Sequence, residues 1–208
     1  EEYHVDISEY RLGERPPLEA QVIDLADEIA YNTADLDDGY DSGLLTVEQM
    51  VEQMELFHSL YRQVEAKYPE AVEKLKVSET VRRVIDVLVT SLVSQTRRVL
   101  ETHGIQSVEE VRQFPSRLLG LEDHIACQNR ELKDFLHRNL YNHEGMRQSR
   151  EKAQRLLEGL FRYYLEYPQK LPESHSARID SLGPERVVCD YLAGMTDKYA
   201  QAKYDLIE

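Results

Sequence analysis

The clearest pattern in the chain is a recurrence of apolar side chains every three or four residues, separated by charged positions. It runs through the segments 18–36, 46–67, 78–103, 121–141, 146–166 and 184–199. This spacing places the apolar side chains of each segment on one face of an α-helix. The strict alternation that indicates a half-buried strand is almost absent. The pattern therefore predicts an all-α fold.

Signals at the ends of these segments support the same prediction. Gly104 suits the C-terminal end of the helix over 78–103. Two capping boxes are present: Thr46 with Gln49, and Ser107 with Glu110. With a short helix after the second box, we predict a multi-helix bundle of about seven helices, preceded by an irregular lead-in over residues 1–17. No repeat or change in composition divides the chain, so we predict one all-α region over residues 1–208.

Composition and charge exclude several classes of function. The chain has 208 residues, 41% of them hydrophobic and 31% charged, which suits a globular protein with a sizeable core. Its net charge of −14 argues against a broad nucleic-acid surface, because phosphate contacts need clustered Lys and Arg. No apolar run approaches the roughly 20 residues of a membrane-spanning helix. A local basic pocket for a small anion remains open.

The first predicted helix, residues 18–36, carries an unusual row of polar side chains. Asp27, Tyr31 and Asp35 recur at intervals of four residues, so a helix aligns them on one face. A separate row faces the predicted core: Val22, Leu25, Ala26 and Ile29. Two carboxylates and a phenol on one face suit a metal or a polar ligand. They equally suit a solvated surface, and the helix alone leaves both alternatives open.

A second cluster combines cations with aromatic side chains. Tyr141 and His143 lie among six basic residues: Lys133, Arg138, Arg147, Arg150, Lys152 and Arg155. Several cations and a phenol are the usual means of binding a triphosphate. The alternative is a set of solvated helix faces in which these cations pair with Glu131, Glu144 and Glu151.

Common catalytic motifs are absent from the sequence. The seven histidines are scattered without an HExxH or His-Asp pair, and neither a P-loop nor a dinucleotide-binding glycine motif occurs. The nucleophile motif GxSxG is missing as well. Cys127 and Cys189 have no CxxC spacing, and two reduced thiols of a cytoplasmic protein are favoured over a disulfide.

Three stretches nevertheless resemble one known family, the dGTPase-like deoxynucleoside triphosphate triphosphohydrolases of the HD superfamily. They are PPLEAQVIDLADEIAYNTADLDDGYDSGLL at 16–45, ELKDFLHRNLYNH at 131–143 and ERVVCDYLAGMTDKYA at 185–200. Their order and spacing match the C-terminal part of these proteins. The resemblance implies an HD-domain-like bundle that lacks the N-terminal part of the HD core.

The resemblance also implies a role for individual residues. Asp27 matches the last metal ligand of the HD motif, and Tyr31 and Asp35 match substrate contacts. Tyr141 matches a tyrosine that packs on the deoxyribose, Lys133 a cation near the phosphates, and Arg186 a residue near the substrate pocket. The implied reaction is attack of water on the α-phosphorus of a dNTP, dGTP above all, which releases a deoxynucleoside and triphosphate. The implied cofactor is Mg²⁺ or Mn²⁺.

One departure from the family pattern changes what we expect of this chain. The first His and the His-Asp pair of the HD motif do not occur in the 208 residues. We therefore expect no dNTP hydrolysis by this chain alone. The alternative is a non-catalytic helical module for binding or oligomerisation. The resemblance further implies a homo-oligomer and, in some relatives, binding of single-stranded DNA. The lack of a long apolar run predicts no membrane partner.

Overall fold

The structure is a computed structural model that describes residues 11–207, and every regular element in that range is helical. The predicted all-α fold class is therefore confirmed. Residues 11–17 are irregular, as predicted, whereas the rest of the predicted lead-in, residues 1–10, lies outside the described residues. None of the described helices combines the length and apolar character needed to cross a bilayer.

The chain divides into two compact units, Glu1–His143 and Glu144–Glu208. The first contains α1 (Leu18–Asp41), α2 (Val47–Gln53), α3 (Glu55–Lys67), α4 (Glu73–His103), α5 (Val108–Gln113), α6 (Asp123–Leu136) and a π-helical turn (His137–Tyr141). The second contains α7 (Glu144–Glu166), a 3₁₀ turn (Pro168–Lys170), α8 (Glu173–Ser176), α9 (Ile179–Leu182), α10 (Pro184–Ala193) and α11 (Asp197–Tyr204). The sequence predicts one all-α region over residues 1–208, and this stays a prediction.

The core of the first unit forms where the long helix α4 packs against α1 and α3, with α6 closing one side. Its fully buried side chains come from all of these elements and include Leu36, Met50, Phe57, Val77, Val84, Leu88, Leu118, Phe135 and Leu136. Both predicted capping boxes are present at the starts of α2 and α5. Gly104 ends α4 in the left-handed region with φ of 65°, a conformation that favours glycine.

The second unit has a smaller core in which α7 packs against α10 and α11. It is built around Leu160, Val187 and Val188, each of them fully buried. Tyr164 and Tyr191 extend this core, with ring centroids 5.2 Å apart in an edge-to-face arrangement.

The described residues form eleven α-helices rather than the seven predicted, because two predicted helices are interrupted and the short helices α8 and α9 were not predicted. The segment 46–67 divides at Met54, whose φ of −134° and ψ of 109° are extended. The segment 184–199 divides after Ala193, at Gly194, and α11 begins again at Asp197. In the opposite direction, α1 continues to Asp41 and passes through the Asp-Asp-Gly sequence that predicts a turn.

Gly39 lies where α1 continues through the predicted turn. It lies inside the helix and is buried, and a Cβ atom there would be 2.6 Å from Cδ1 of Leu45 and 3.4 Å from Cδ1 of Leu140. The glycine therefore allows the loop after α1 and the π-helical turn to approach the helix closely. The chain reverses later, at Gly43, whose φ of 72° lies in the left-handed region.

Candidate functional site

The candidate site lies on one face of α1, where the polar row predicted from the sequence is present. Asp27 is exposed, Tyr31 is 61% exposed and Asp35 is half-buried. Ile29 and Leu36 on another face of the helix are buried in the core. The predicted core row is present except for Ala26, whose side chain is exposed to solvent.

Tyr141 reaches this row from a different element. Helix α6 continues directly into the π-helical turn, which ends at Tyr141 and leaves its ring packed against the core of the first unit. The phenolic hydroxyl donates a hydrogen bond to Oδ2 of Asp35. Two side chains 106 positions apart, each predicted to contact a substrate, are thus in direct contact.

The environment of this pair keeps the phenol protonated. Burial raises the pKa of the Tyr141 hydroxyl well above its usual range, and the hydrogen bond to the Asp35 carboxylate raises it further. Tyr31 makes a smaller contribution in the same direction. The raised pKa extends the pH range over which the hydroxyl of Tyr141 stays protonated and donates to the Asp35 side chain.

Gly39 belongs to the same face, four residues after Asp35. Since Leu140 precedes Tyr141 and lies against Gly39, the small residue determines how closely the π-helical turn approaches α1. The contact between Asp35 and Tyr141 therefore depends on a glycine one helical turn away.

Lys133 is positioned by Glu28, a residue to which the sequence assigned no specific role. Oε2 of Glu28 accepts a hydrogen bond from Nζ of Lys133 at 3.1 Å, and Oε1 accepts one from Nδ2 of Asn129 at 2.9 Å. Both side chains of the Lys133–Glu28 ion pair are partly exposed, so solvent screens their attraction. Lys133 is therefore directed toward α1 by a carboxylate of α1 itself.

Two buried polar atoms, one on α1 and one on α6, lack a hydrogen-bond partner among the described residues. They are Nδ2 of Asn32 on α1 and Oδ1 of Asn129 on α6, and both residues are more than nine-tenths buried. Orphaned buried polar groups are uncommon because each costs about 1–3 kcal/mol. Asn32 therefore retains an unused donor on α1, and Asn129 an unused acceptor on α6.

The described residues do not form a complete metal site. Within residues 11–207, no group of three or more His, Cys, Asp or Glu side chains is arranged to hold a metal ion. Asp27 provides one exposed carboxylate, which forms no hydrogen bond or ion pair with another described residue. It fits a divalent cation as a single hard oxygen ligand and no more.

Arg186 lies apart from these residues in the chain, in the second unit. Its Nε donates to Oδ1 of Asp190 at 2.9 Å, and Oδ2 of the same carboxylate accepts from Arg178 at 3.1 Å. The Arg186 side chain is 71% exposed. Its predicted role at the substrate pocket stays a prediction.

Glu28 and Asn129 are the site residues that sequence analysis missed. Their pairing across 101 positions depends on how α1 packs against α6, and neither residue has a local sequence signal. Glu28 adjoins Asp27, and Asn129 precedes Lys133 by one helical turn. These positions are the only indication in the sequence.

Comparison with known proteins supports the resemblance seen in the sequence. Residues 119–206 match the phosphohydrolase-associated domain, HD_assoc. The chain is 38% identical over 188 residues to a deoxyguanosinetriphosphate triphosphohydrolase-like protein of Geobacter sulfurreducens. It is 42% identical over 190 residues to the protein of that description in Thiobacillus denitrificans, and 41% identical over 188 residues to that of Ralstonia nicotianae.

These matches cover the two chains unequally. They include 90–91% of this chain but 48–50% of each relative, so the chain spans about half the length of the curated relatives it matches. The family resemblance predicted from the sequence is confirmed: the chain is related to the dGTPase-like triphosphohydrolases. The coverage is consistent with the C-terminal portion of such a protein.

Proposed function

We propose that this chain forms one wall of the active site of a metal-dependent dNTP triphosphohydrolase, with dGTP as the foremost substrate. The observation that carries the proposal is the hydrogen bond between Tyr141 and Asp35. The resemblance assigns both residues to the substrate, although they lie in separate stretches of the sequence. Direct contact between them supports a common site.

In this proposal Tyr141 recognises the sugar. The ring is held by the core of the first unit on one side and by the hydroxyl's bond to Asp35 at its edge. A ring fixed in this way packs against the deoxyribose and leaves no space for a 2′-hydroxyl. Tyr31, exposed one turn before Asp35, supplies a second aromatic surface at the same face.

Lys133 binds the phosphates, and it must first leave Glu28. The ion pair between them is partly exposed and costs about 1 kcal/mol or less to break. A triphosphate oxygen then replaces the carboxylate. Glu28 therefore directs the lysine before the substrate arrives and competes with the substrate afterwards.

Asp27 provides one ligand of the divalent cation, Mg²⁺ or Mn²⁺. Such a cation, when bound, lowers the pKa of a water ligand and stabilises charge on phosphoryl oxygens. We propose that the remaining ligands come from a segment corresponding to the half of the relatives that this chain does not match. The two free and exposed thiols, Cys127 and Cys189, support a cytoplasmic location.

The test compares the chain alone with the chain joined to the unmatched half of the Geobacter sulfurreducens relative. Release of deoxyguanosine and triphosphate from dGTP is measured by chromatography with Mn²⁺ or Mg²⁺ present. We expect hydrolysis by the joined protein only, and its loss in the Asp27→Ala variant. Asp38→Ala is the matched control, because Asp38 is an exposed carboxylate of the same helix outside the polar row.

Two results would contradict the proposal. Rapid turnover by the 208-residue chain alone would show that it needs no further metal ligands. An unchanged rate in an active joined protein carrying Asp27→Ala would show that Asp27 is not a ligand.

A further inference from the structure

The second unit contains a cavity that the proposed function does not use. Its volume is about 400 Å³, within the range of about 300–1,000 Å³ typical of small-molecule sites. Helix α7 contributes Lys152, Arg155 and Leu156 to the lining, and α11 contributes Gln201 and Tyr204. Lys152 and Arg155 are three residues apart and therefore lie on the same side of α7, as Gln201 and Tyr204 do on α11.

The cations of this cavity differ from two other cations of α7, Arg147 and Arg162, which lie beside carboxylates. Arg147 pairs with Glu144 at 2.6 Å, and Arg162 lies 3.9 Å from Glu158. Within residues 11–207, neither Lys152 nor Arg155 forms an ion pair with a carboxylate, and the lining side chains of the cavity include no acid. Two such cations in one concave surface are notable in a chain of net charge −14.

One wall of the cavity is held in place by a close approach of two helices. The ring of Tyr204 lies directly over Gly159 of α7, where a Cβ atom would be 2.4 Å from Cε2 of the ring. Any larger residue at position 159 would displace the ring. The aromatic wall therefore depends on the glycine, independently of the charges.

We propose that this cavity binds a small phosphate-bearing anion. Lys152 and Arg155 are the ligands of the phosphate oxygens, since charge-assisted hydrogen bonds to phosphate are the strong ones. The Gln201 amide, which donates one hydrogen to Asp205 at 2.7 Å, retains a second for the anion. The ring of Tyr204 lies beside the remainder of the ligand. The proposed anion site uses residues of the second unit alone and does not rest on the proposed substrate face of α1.

Inorganic pyrophosphate is the probe, titrated calorimetrically into the 208-residue chain at fixed ionic strength without divalent cations. We expect saturable binding that weakens about tenfold or more in the double variant Lys152→Gln/Arg155→Gln. The matched control is Arg162→Gln/Lys170→Gln, which removes the same charge from the same unit outside the cavity. We expect its affinity to equal that of the unmodified chain.

A third variant tests the contribution of the Tyr204 ring independently of the two cations. Gly159→Ala leaves the net charge unchanged but displaces Tyr204, so a nucleoside 5′-diphosphate should lose more affinity than pyrophosphate. Equal losses for both probes would contradict the assignment of the Tyr204 ring to the organic part of the ligand.

Three outcomes would overturn the proposal. The first is no measurable binding by the unmodified chain, and the second is equal loss in the cavity and control double variants. The third is binding that survives Lys152→Gln/Arg155→Gln but is lost in Lys133→Gln, which would assign the anion to the first unit.

Discussion

Removal of a single oxygen atom tests the most informative contact of the candidate site. Tyr141→Phe keeps the ring in the core of the first unit and deletes only the hydroxyl that donates to Asp35. A hydrogen bond to a charged group contributes about 1.5–3 kcal/mol. Asp35 and Tyr141 are both partly exposed, so water replaces some of the lost interaction. We therefore expect a loss of about 1–2 kcal/mol in the free energy of unfolding.

Tyr40→Phe is the matched control, because Tyr40 also donates to a carboxylate. Its hydroxyl lies 2.9 Å from Oε1 of Glu73, and that bond raises its pKa to about 12. Both rings pack against the core of the first unit, but the bond from Tyr40 is exposed, whereas the bond from Tyr141 is partly buried. The control should therefore lose less, about 0.5 kcal/mol.

Amide hydrogen exchange of peptides from α1 and α6 is the appropriate assay, since it reports the opening of these helices separately from the second unit. Tyr141→Phe should reduce protection in both helices, and Tyr40→Phe should reduce it less. Equal losses in the two variants would refute the argument that burial strengthens the bond to Asp35. A loss below about 0.3 kcal/mol for Tyr141→Phe would refute the contact itself.

The same pair predicts how stability depends on pH. Burial and the Asp35 bond raise the folded-state pKa of Tyr141 above its unfolded value of about 10. Its contribution is therefore fully present below about pH 10 and is lost as the pH rises toward the folded pKa. The stability difference between the unmodified chain and Tyr141→Phe, measured by urea unfolding, should be constant from pH 7 to 9 and narrow above about pH 10. A difference that widens above pH 10 would contradict the assignment.

Two further substitutions test the neighbouring contacts. Gly39→Ala places a Cβ atom 2.6 Å from Leu45. After allowance for alanine's better helix propensity, the free energy of unfolding in urea should fall by about 1–2 kcal/mol. In the control Gly120→Ala, where nothing lies within 4 Å, it should change by less than about 0.5 kcal/mol. Asn129→Asp sets a second carboxylate against Glu28 and should destabilise by about 1–3 kcal/mol at pH 7. The two facing carboxylates raise each other's pKa in the folded state, so the loss of stability should diminish as the pH falls through 5 to 4. A loss of stability that does not depend on pH would contradict this contact.

Helix periodicity predicted the fold class well because burial imposes the same repeat on every amphipathic helix. The capping boxes at Thr46 and Ser107 were predictable for a local reason, since their bonds connect residues three apart. The end of α1 was not predictable, because its Asp-Asp-Gly sequence favours a turn. The helix nevertheless continues, and Gly39 allows the close approach of Leu45, a tertiary contact without a local signal.

In the candidate site, too, local features were predictable and tertiary contacts were not. The alignment of Asp27, Tyr31 and Asp35 follows from helical geometry alone. Which side chain meets each of them depends on α6 and the π-helical turn, about 100 positions away. The resemblance supplied Tyr141, whereas only the structure supplied Glu28 and its bonds to Asn129 and Lys133.

The charges of this face explain why the proposed site requires partners. Asp27, Glu28 and Asp35 place three carboxylates along α1, and Lys133 is the only cation bonded to any of them within residues 11–207. A triphosphate approaching this face alone would meet more negative than positive charge, and Lys133 would have to leave Glu28 to bind it. Electrostatic balance therefore favours a divalent cation at Asp27 and further cations from outside this face. The same carboxylates that argue against phosphate binding by α1 alone are those that a metal ion would neutralise.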